Sequence, residues 1–138
     1  MSSLSTLRRG LGGVLVALLL ALALPSQALA QCTATTTQAR AAAIANGHAF
    51  AKHGNEFVHG RIIAGLAFPD ATIANAGQFA TLVAGIIGNP SQSKALANNR
   101  RAYWDNRTGT VVIYNPAAND CGTAFRPNAG VTYYNNLT

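Results

Sequence analysis

Two β-prone runs, Arg101–Asp105 and Val111–Tyr114, are separated by Asn106-Arg107-Thr108-Gly109 and a single threonine. That linker is a tight-turn signal. A connection so short can join only antiparallel neighbours, because a parallel crossover consumes a dozen residues or more. This one hairpin commits the C-terminal part of the chain to a sheet. Thr123–Arg126 and Val131–Tyr134 read as two further short strands, set off by Asn115-Pro116 through Gly122 and by Pro127-Asn128-Ala129-Gly130. The stretch from Arg100 to Pro127 also holds the only tryptophan, one of the two cysteines and four of the ten cationic residues.

Upstream, the hydrophobic period is helical. Gln38 to about Asn46 is alanine-rich and reads as a helix with Arg40 outward, interrupted at Asn46-Gly47. If His48–Arg61 is helical, Phe50, Gly54 and Phe57 share a face, with His48, Lys52 and His59 on the other side and His53 at the edge. Glu56 falls four residues after Lys52 and three after His53, within reach of either. Ile62–Phe68 is apolar and ends at Pro69. Asp70 is a fitting N-cap for a helix over Ala71–Ile87, whose stripe of Ala76, Phe79, Val83 and Ile86 belongs against a sheet. Ser91–Asn99 reads as a polar connector with one helical turn around Lys94–Ala97. Helices followed by a strand meander predict an α+β fold, with the helices packed on an antiparallel sheet of three to four strands.

Residues 1–30 read as a cleaved signal peptide. Arg8 and Arg9 precede the uncharged run Leu11–Leu24, Pro25 breaks it, and Ala28-Leu29-Ala30 places small residues before a cut. The run is too short for a spanning helix, and Gln31 occupies the position where lipidation of Cys32 would need a small residue. The expectation is a single domain over residues 31–138, secreted or periplasmic, with no stable membrane insertion after cleavage. Export takes Cys32 and Cys121 to an oxidising compartment, which predicts one disulfide between them. Closing so long a loop is worth on the order of 4–5 kcal/mol on chain-entropy grounds, an upper figure. Removing Arg8 and Arg9 with the leader leaves eight Lys and Arg against four Asp and Glu, a net charge of +4. A small basic exported domain points to anionic partners such as nucleic acid or an acidic envelope surface.

The sequence has no glycine-rich phosphate loop and no serine nucleophile elbow. Histidines five apart in HxxxKH miss the four-residue spacing of a helical metal pair, and two cysteines without a CxxC spacing make no zinc signature, so neither metal nor cofactor is expected. The remaining set, His, Lys, Arg, Thr and Tyr, suits metal-independent cleavage of RNA. That reaction needs a base for the 2′-hydroxyl, an acid for the leaving 5′-oxygen and cations for the charge on phosphorus.

GHAFAKHGNEF, followed much later by RAYWDNRTGTVVIYNP and GTAFRP, resembles the C-terminal toxin domains of bacterial contact-dependent growth inhibition and polymorphic toxin systems. The matching pieces are Lys52-His53-Gly54-Asn55-Glu56-Phe57 and Thr123-Ala124-Phe125-Arg126-Pro127. Many such domains are metal-independent ribonucleases of the barnase–EndoU–colicin–RelE type, and others are similar to pancreatic ribonuclease; which of the two folds applies stays open. The resemblance implies a helical histidine as acid or base, which maps to His53, and polar sheet residues at the phosphate, which map to Arg101, Tyr103, Thr123 and Arg126. His48 and Lys52 join the candidate catalytic set, and Arg100 and Arg107 are candidates for substrate contact. RNA is the expected partner, with an immunity protein as a second.

The alternative is a non-enzymatic secreted or periplasmic module that binds an anionic polymer or envelope partner. Geometry separates the two readings. The enzyme requires His53 or His48 to converge with Arg101, Tyr103 and Thr123 on one cleft. Cleavage of cell-wall glycans is disfavoured, since the four acids are scattered rather than paired.

Overall fold

In a computed structural model of the chain, residues 31–138 are described; the expected leader lies outside them. Helix α1 (Thr37–Ile44) begins at Thr36, whose hydroxyl accepts the Ala39 N–H. The chain does not leave the helix at Asn46-Gly47. It passes through a π turn (Ala45–Ala49) in which Gly47 alone is non-helical (φ −73°, ψ −131°), resumes as α2 (Phe50–His53), and closes in a 3₁₀ turn over Gly54–Glu56. The helix expected toward Arg61 therefore stops at Glu56. Ile62–Phe68 folds back on itself as a hairpin, β1 (Ile62–Ile63) with β2 (Leu66–Ala67), turning through Ala64 and Gly65 at positive φ.

Helix α3 (Ala76–Gly88) starts later than the sequence implies. Its cap is Asn75, whose side chain accepts the Gln78 N–H, while the Asp70 carboxylate is engaged by Arg107. The stripe is as read: Phe79, Val83 and Ile86 are buried.

The main sheet has four antiparallel strands in the order β3 (Gln92–Ala95), β4 (Arg101–Asp105), β5 (Thr110–Tyr114), β6 (Gly122–Phe125). Two expectations fail here. The polar connector after Ser91 is edge strand β3, which tolerates polar residues because little of it is buried. Val131–Tyr134 is not a strand but the start of helix α4 (Val131–Asn136). Its β propensity loses to packing: the helix buries Tyr134 against Trp104 and sets Tyr133 edge-on to Phe125.

Strand alternation gives the sheet two unlike faces. Tyr103, Val112 and Ala124 point toward α1 and α3 and join Ala41, Ile44, Phe57, Phe68, Phe79 and Val83 in the larger core. Phe57 sits edge-on to both Phe68 and Phe79. Ala102, Trp104, Val111 and Ile113 point the other way into a smaller core closed by Tyr134, with Phe125, Tyr133 and Leu137 at its margin.

The disulfide forms as expected. Cys32 and Cys121 bridge at a Cα separation of 4.7 Å, and the Cys32 N–H donates to the Pro116 carbonyl, so the start of the domain is tied to the loop before β6. No helix among the described residues is long and apolar enough to cross a membrane.

Candidate active site

Strand β6 runs past the π turn and α2, and two histidines from that helical segment reach carboxylates fixed at its two ends. At the far end, the His53 Nδ1–H donates to Glu56 Oε1 at 2.7 Å, and the second oxygen of Glu56 accepts the Arg126 main-chain N–H at 2.7 Å. The spacing of three within the tightening helix brings the pair together, as the sequence allowed. The imidazole lies stacked on Phe125, ring centroids 5.1 Å apart, and Tyr133 packs edge-on to Phe125. A carboxylate on Nδ1 favours the tautomer with its proton there and leaves Nε2 without a partner among the described residues. Both residues are about four-fifths buried, with side-chain exposures of 16% and 21%.

Thr123 projects from β6 on the same face as Phe125, two residues away. Its hydroxyl oxygen is covered yet has no hydrogen-bond partner among the described residues. A buried hydroxyl left unpaired costs about 1–3 kcal/mol.

At the near end of β6, the His48 Nδ1–H donates to Asp120 Oδ2 at 2.6 Å, and Asp120 Oδ1 accepts the Gly122 N–H. Burial pushes the Asp120 carboxyl up, but the His48 side chain, the Gly122 N–H and the His48 backbone together hold it below its ordinary value. Two glycines make this approach feasible. A Cβ on Gly47 would stand 2.5 Å from the Asp120 Cβ, and one on Gly122 would stand 1.9 Å from the Ile113 carbonyl oxygen at a φ of +127°. Lys52 is exposed on α2 beside His53 and makes no hydrogen bond or ion pair with another described residue.

The remaining candidates do not converge on this place. Arg126, expected at the phosphate, has its guanidinium directed into the fold instead. It is 2% exposed, and its guanidinium is spent on four main-chain carbonyls: Thr108 (2.7 Å), Glu56 (2.8 Å), Leu66 (2.8 Å) and Arg61 (3.0 Å). Burial lowers its pKa, partly offset by the nearby Glu56. Its side chain pins the hairpin and the 3₁₀ turn, and its contribution to the site is the backbone N–H on Glu56. Tyr103 is 9% exposed in the larger core, on the face opposite Thr123 and Phe125. Arg101 shares that face, lies over the Tyr103 ring and donates to Ser93. Arg100 donates to the Ala97 and Thr138 carbonyls.

Arg107 grips Asp70 with both terminal nitrogens, at 2.6 and 2.9 Å. The hydrogen bonds between them lower the Asp70 pKa and raise that of Arg107. This pair lines a groove of about 720 Å³ beside α3, and none of the groove's lining residues belongs to the histidine site.

No known protein family, characterised protein or solved structure matches this chain.

Sequence reasoning missed Asp120 and Phe125. Asp120 carried a signal, as one of only four acids and the neighbour of a cysteine expected in a disulfide. Phe125 carried only its place in the Thr123–Pro127 piece, because a ring that supports a histidine from 72 residues away looks like any core aromatic.

Proposed function

We propose that this chain is an exported, metal-independent endoribonuclease that cleaves RNA by transphosphorylation. The observation that carries the reading is the His53–Glu56 pair. It is an imidazole bonded through Nδ1 and stacked on Phe125, whose carboxylate partner is itself held by the Arg126 N–H. Such an arrangement orients Nε2 to take the proton of a ribose 2′-hydroxyl as that oxygen attacks phosphorus. The unpaired Thr123 hydroxyl stands on the same strand face, where a rotation about χ1 presents a donor to a phosphate oxygen. Lys52 supplies a nearby cation. The toxin-domain resemblance gives the biological form of this reading, an antibacterial effector with an immunity protein as its partner.

The test uses purified residues 31–138 with the disulfide formed, total RNA and tRNA as substrates, and EDTA throughout. The expected result is cleavage with a 2′,3′-cyclic phosphate terminus, reduced about 10²- to 10⁴-fold by His53→Ala. Full activity in that variant rules out the assignment of His53.

One observation favours a second reading, a non-enzymatic module for an anionic polymer. Arg101 and Tyr103 lie on the sheet face away from His53 and Thr123, so the convergence that the enzyme was expected to require is not met, and the first reading rests on His53, Glu56 and Thr123 alone. Absence of RNA cleavage by the wild-type protein, together with salt-sensitive binding to a polyanion, selects that reading.

A further inference from the structure

The four acidic residues of the chain are all committed. Glu56 and Asp120 hold His53 and His48, Asp70 holds Arg107, and Asp105 accepts from the Thr108 hydroxyl and N–H. Apart from the buried Arg126, this leaves Arg40, Lys52, Arg61, Lys94, Arg100 and Arg101 without a carboxylate partner among the described residues. Arg40, Lys94, Arg100 and Arg101 gather at one end of the main sheet. We propose that Arg40 and Arg101 form a binding site for the phosphate groups of a base-free phosphodiester polymer of a cell envelope. The inference rests on the second reading above, anionic-polymer binding, and goes beyond it in naming the residues and the ligand chemistry; it needs no cleavage of RNA.

Arg101 and Tyr114 are register partners on β4 and β5, so their side chains stand on one sheet face, as Tyr103 does two residues along. Arg40 reaches that face from α1. Its guanidinium lies 4.3 Å from the centroid of the Tyr114 ring, and its Nε–H donates to the Ala34 carbonyl. The Arg101 guanidinium lies 5.9 Å from the Tyr103 centroid and donates from Nη2 to Ser93 Oγ. Each arginine is thus seated on a ring and tied by one hydrogen bond. Both terminal nitrogens of Arg40, and Nε and Nη1 of Arg101, have no partner among the described residues. Planar forks held this way are ready donors to phosphate oxygens. Lys94 donates to the Asn135 carbonyl and Arg100 to those of Ala97 and Thr138, and both add positive potential at this end.

The rings select the ligand class. Tyr114 and Tyr103 carry the guanidinium groups, and Tyr103 is 9% exposed, so bases have no open platform here. Single-stranded RNA is gripped through stacked bases, whereas a base-free chain offers phosphates alone. The Cys32–Cys121 disulfide suits the oxidising compartment in which envelope polymers lie. His53 and Phe125 belong to the other sheet face, so the two places are separate.

The test titrates residues 31–138, with the disulfide formed, against a synthetic glycerol phosphate oligomer. A 2′-O-methyl RNA of equal phosphate number, which transphosphorylation cannot cleave, is titrated beside it. The oligomer is expected to bind at least as tightly as the RNA, and more weakly as salt rises from about 50 to 200 mM. Arg40→Gln and Arg101→Gln are each expected to lower affinity about tenfold and to reduce the salt slope by about one. Arg61→Gln, at the other end of β6, is expected to change affinity by less than about twofold, because screening isolates it from the patch. Arg101→Lys keeps the charge without the fork and is expected to lose about threefold or more; Arg40→Lys makes the same comparison where Arg40→Gln fails to fold. Binding unchanged by the two Gln variants, or lowered as much by Arg61→Gln, overturns the site and leaves the anionic-polymer reading intact. Full affinity in Arg101→Lys reduces the site to diffuse charge and overturns it too. RNA bound more than about tenfold tighter through the same arginines overturns the base-free ligand in favour of nucleic acid. A wild-type protein that binds neither polymer removes the anionic-polymer reading and this inference together.

Discussion

On the helix-covered face of the sheet, Tyr103, Val112 and Ala124 are sealed under α1 and α3 in a core of apolar and aromatic residues, with Arg101 over the Tyr103 ring at its margin. On the opposite face, Phe125 stands on the same strand as Ala124 but meets the His53 imidazole and the Tyr133 ring at the margin of the smaller core, and Thr123 carries an unpaired hydroxyl. Adjacent residues of one four-residue strand thus serve different ends. The difference teaches that burial alone does not mark a core here: His53 and Glu56 are as enclosed as many packing residues, yet each spends its polar atoms on holding a ring in one orientation.

The sharpest way to break this comparison is to injure one face and read the other. Phe79→Ala removes a fully buried ring from the helix-covered side. It is expected to cost about 3–5 kcal/mol in chemical denaturation while the folded fraction keeps its RNA-cleavage rate. His53→Ala is expected to do the reverse, with a large loss of rate and a small change in denaturation midpoint. A Phe79→Ala protein that folds but loses cleavage outright would mean that the faces are coupled and the division is wrong.

Thr123→Val is a finer probe. Deleting an unpaired buried hydroxyl while keeping the side-chain shape is expected to leave stability unchanged or raise it by up to about 1 kcal/mol. Cleavage is expected to fall about tenfold. A clear loss of stability would show that the hydroxyl is satisfied within the fold.

The smallest effect belongs to Asp70, which lies on neither face. Its pKa is lowered by the hydrogen bonds from Arg107, so its contribution is fully present above the unfolded value of about 3.9 and is lost as pH falls through the lower folded value. Both partners are substantially exposed, at 56% and 40%, so solvent and salt limit the pair to about 1 kcal/mol or less. Asp70→Asn should flatten the acid limb of thermal stability below about pH 4 and leave cleavage at neutral pH unchanged. An unaltered acid limb would show that the pair contributes nothing.

The parts of the fold legible in the sequence were those with a strong period or a strong stop. The hairpin around Arg107-Thr108-Gly109, the buried stripe of α3 and the disulfide all follow from local residue order or compartment chemistry. Val131-Thr132-Tyr133-Tyr134 misled because its propensity is β, whereas its placement is decided by Trp104 and Phe125, which are distant in sequence. Asn46-Gly47 was legible as an interruption but not as a π turn, and the close contact that excludes a side chain at Gly47 comes from Asp120, distant in sequence. For the site, His53 and Glu56 were local and readable. The faces of Arg101, Tyr103 and Arg126 depended on register and on which carbonyls the hairpin would present, which no spacing in the sequence encodes.

The bond between Cys32 and Cys121 joins positions 89 apart, and this sets a condition on how the molecule can travel. Once oxidised, the chain is a closed ring even when every helix and strand has melted, with residues 122–138 trailing from it. A passage that admits one extended strand would have to admit two side by side for as long as the ring is inside. Reduction restores a linear thread. The redox state of a single bond therefore decides the width of the opening this chain can pass through, independently of how firmly it is folded.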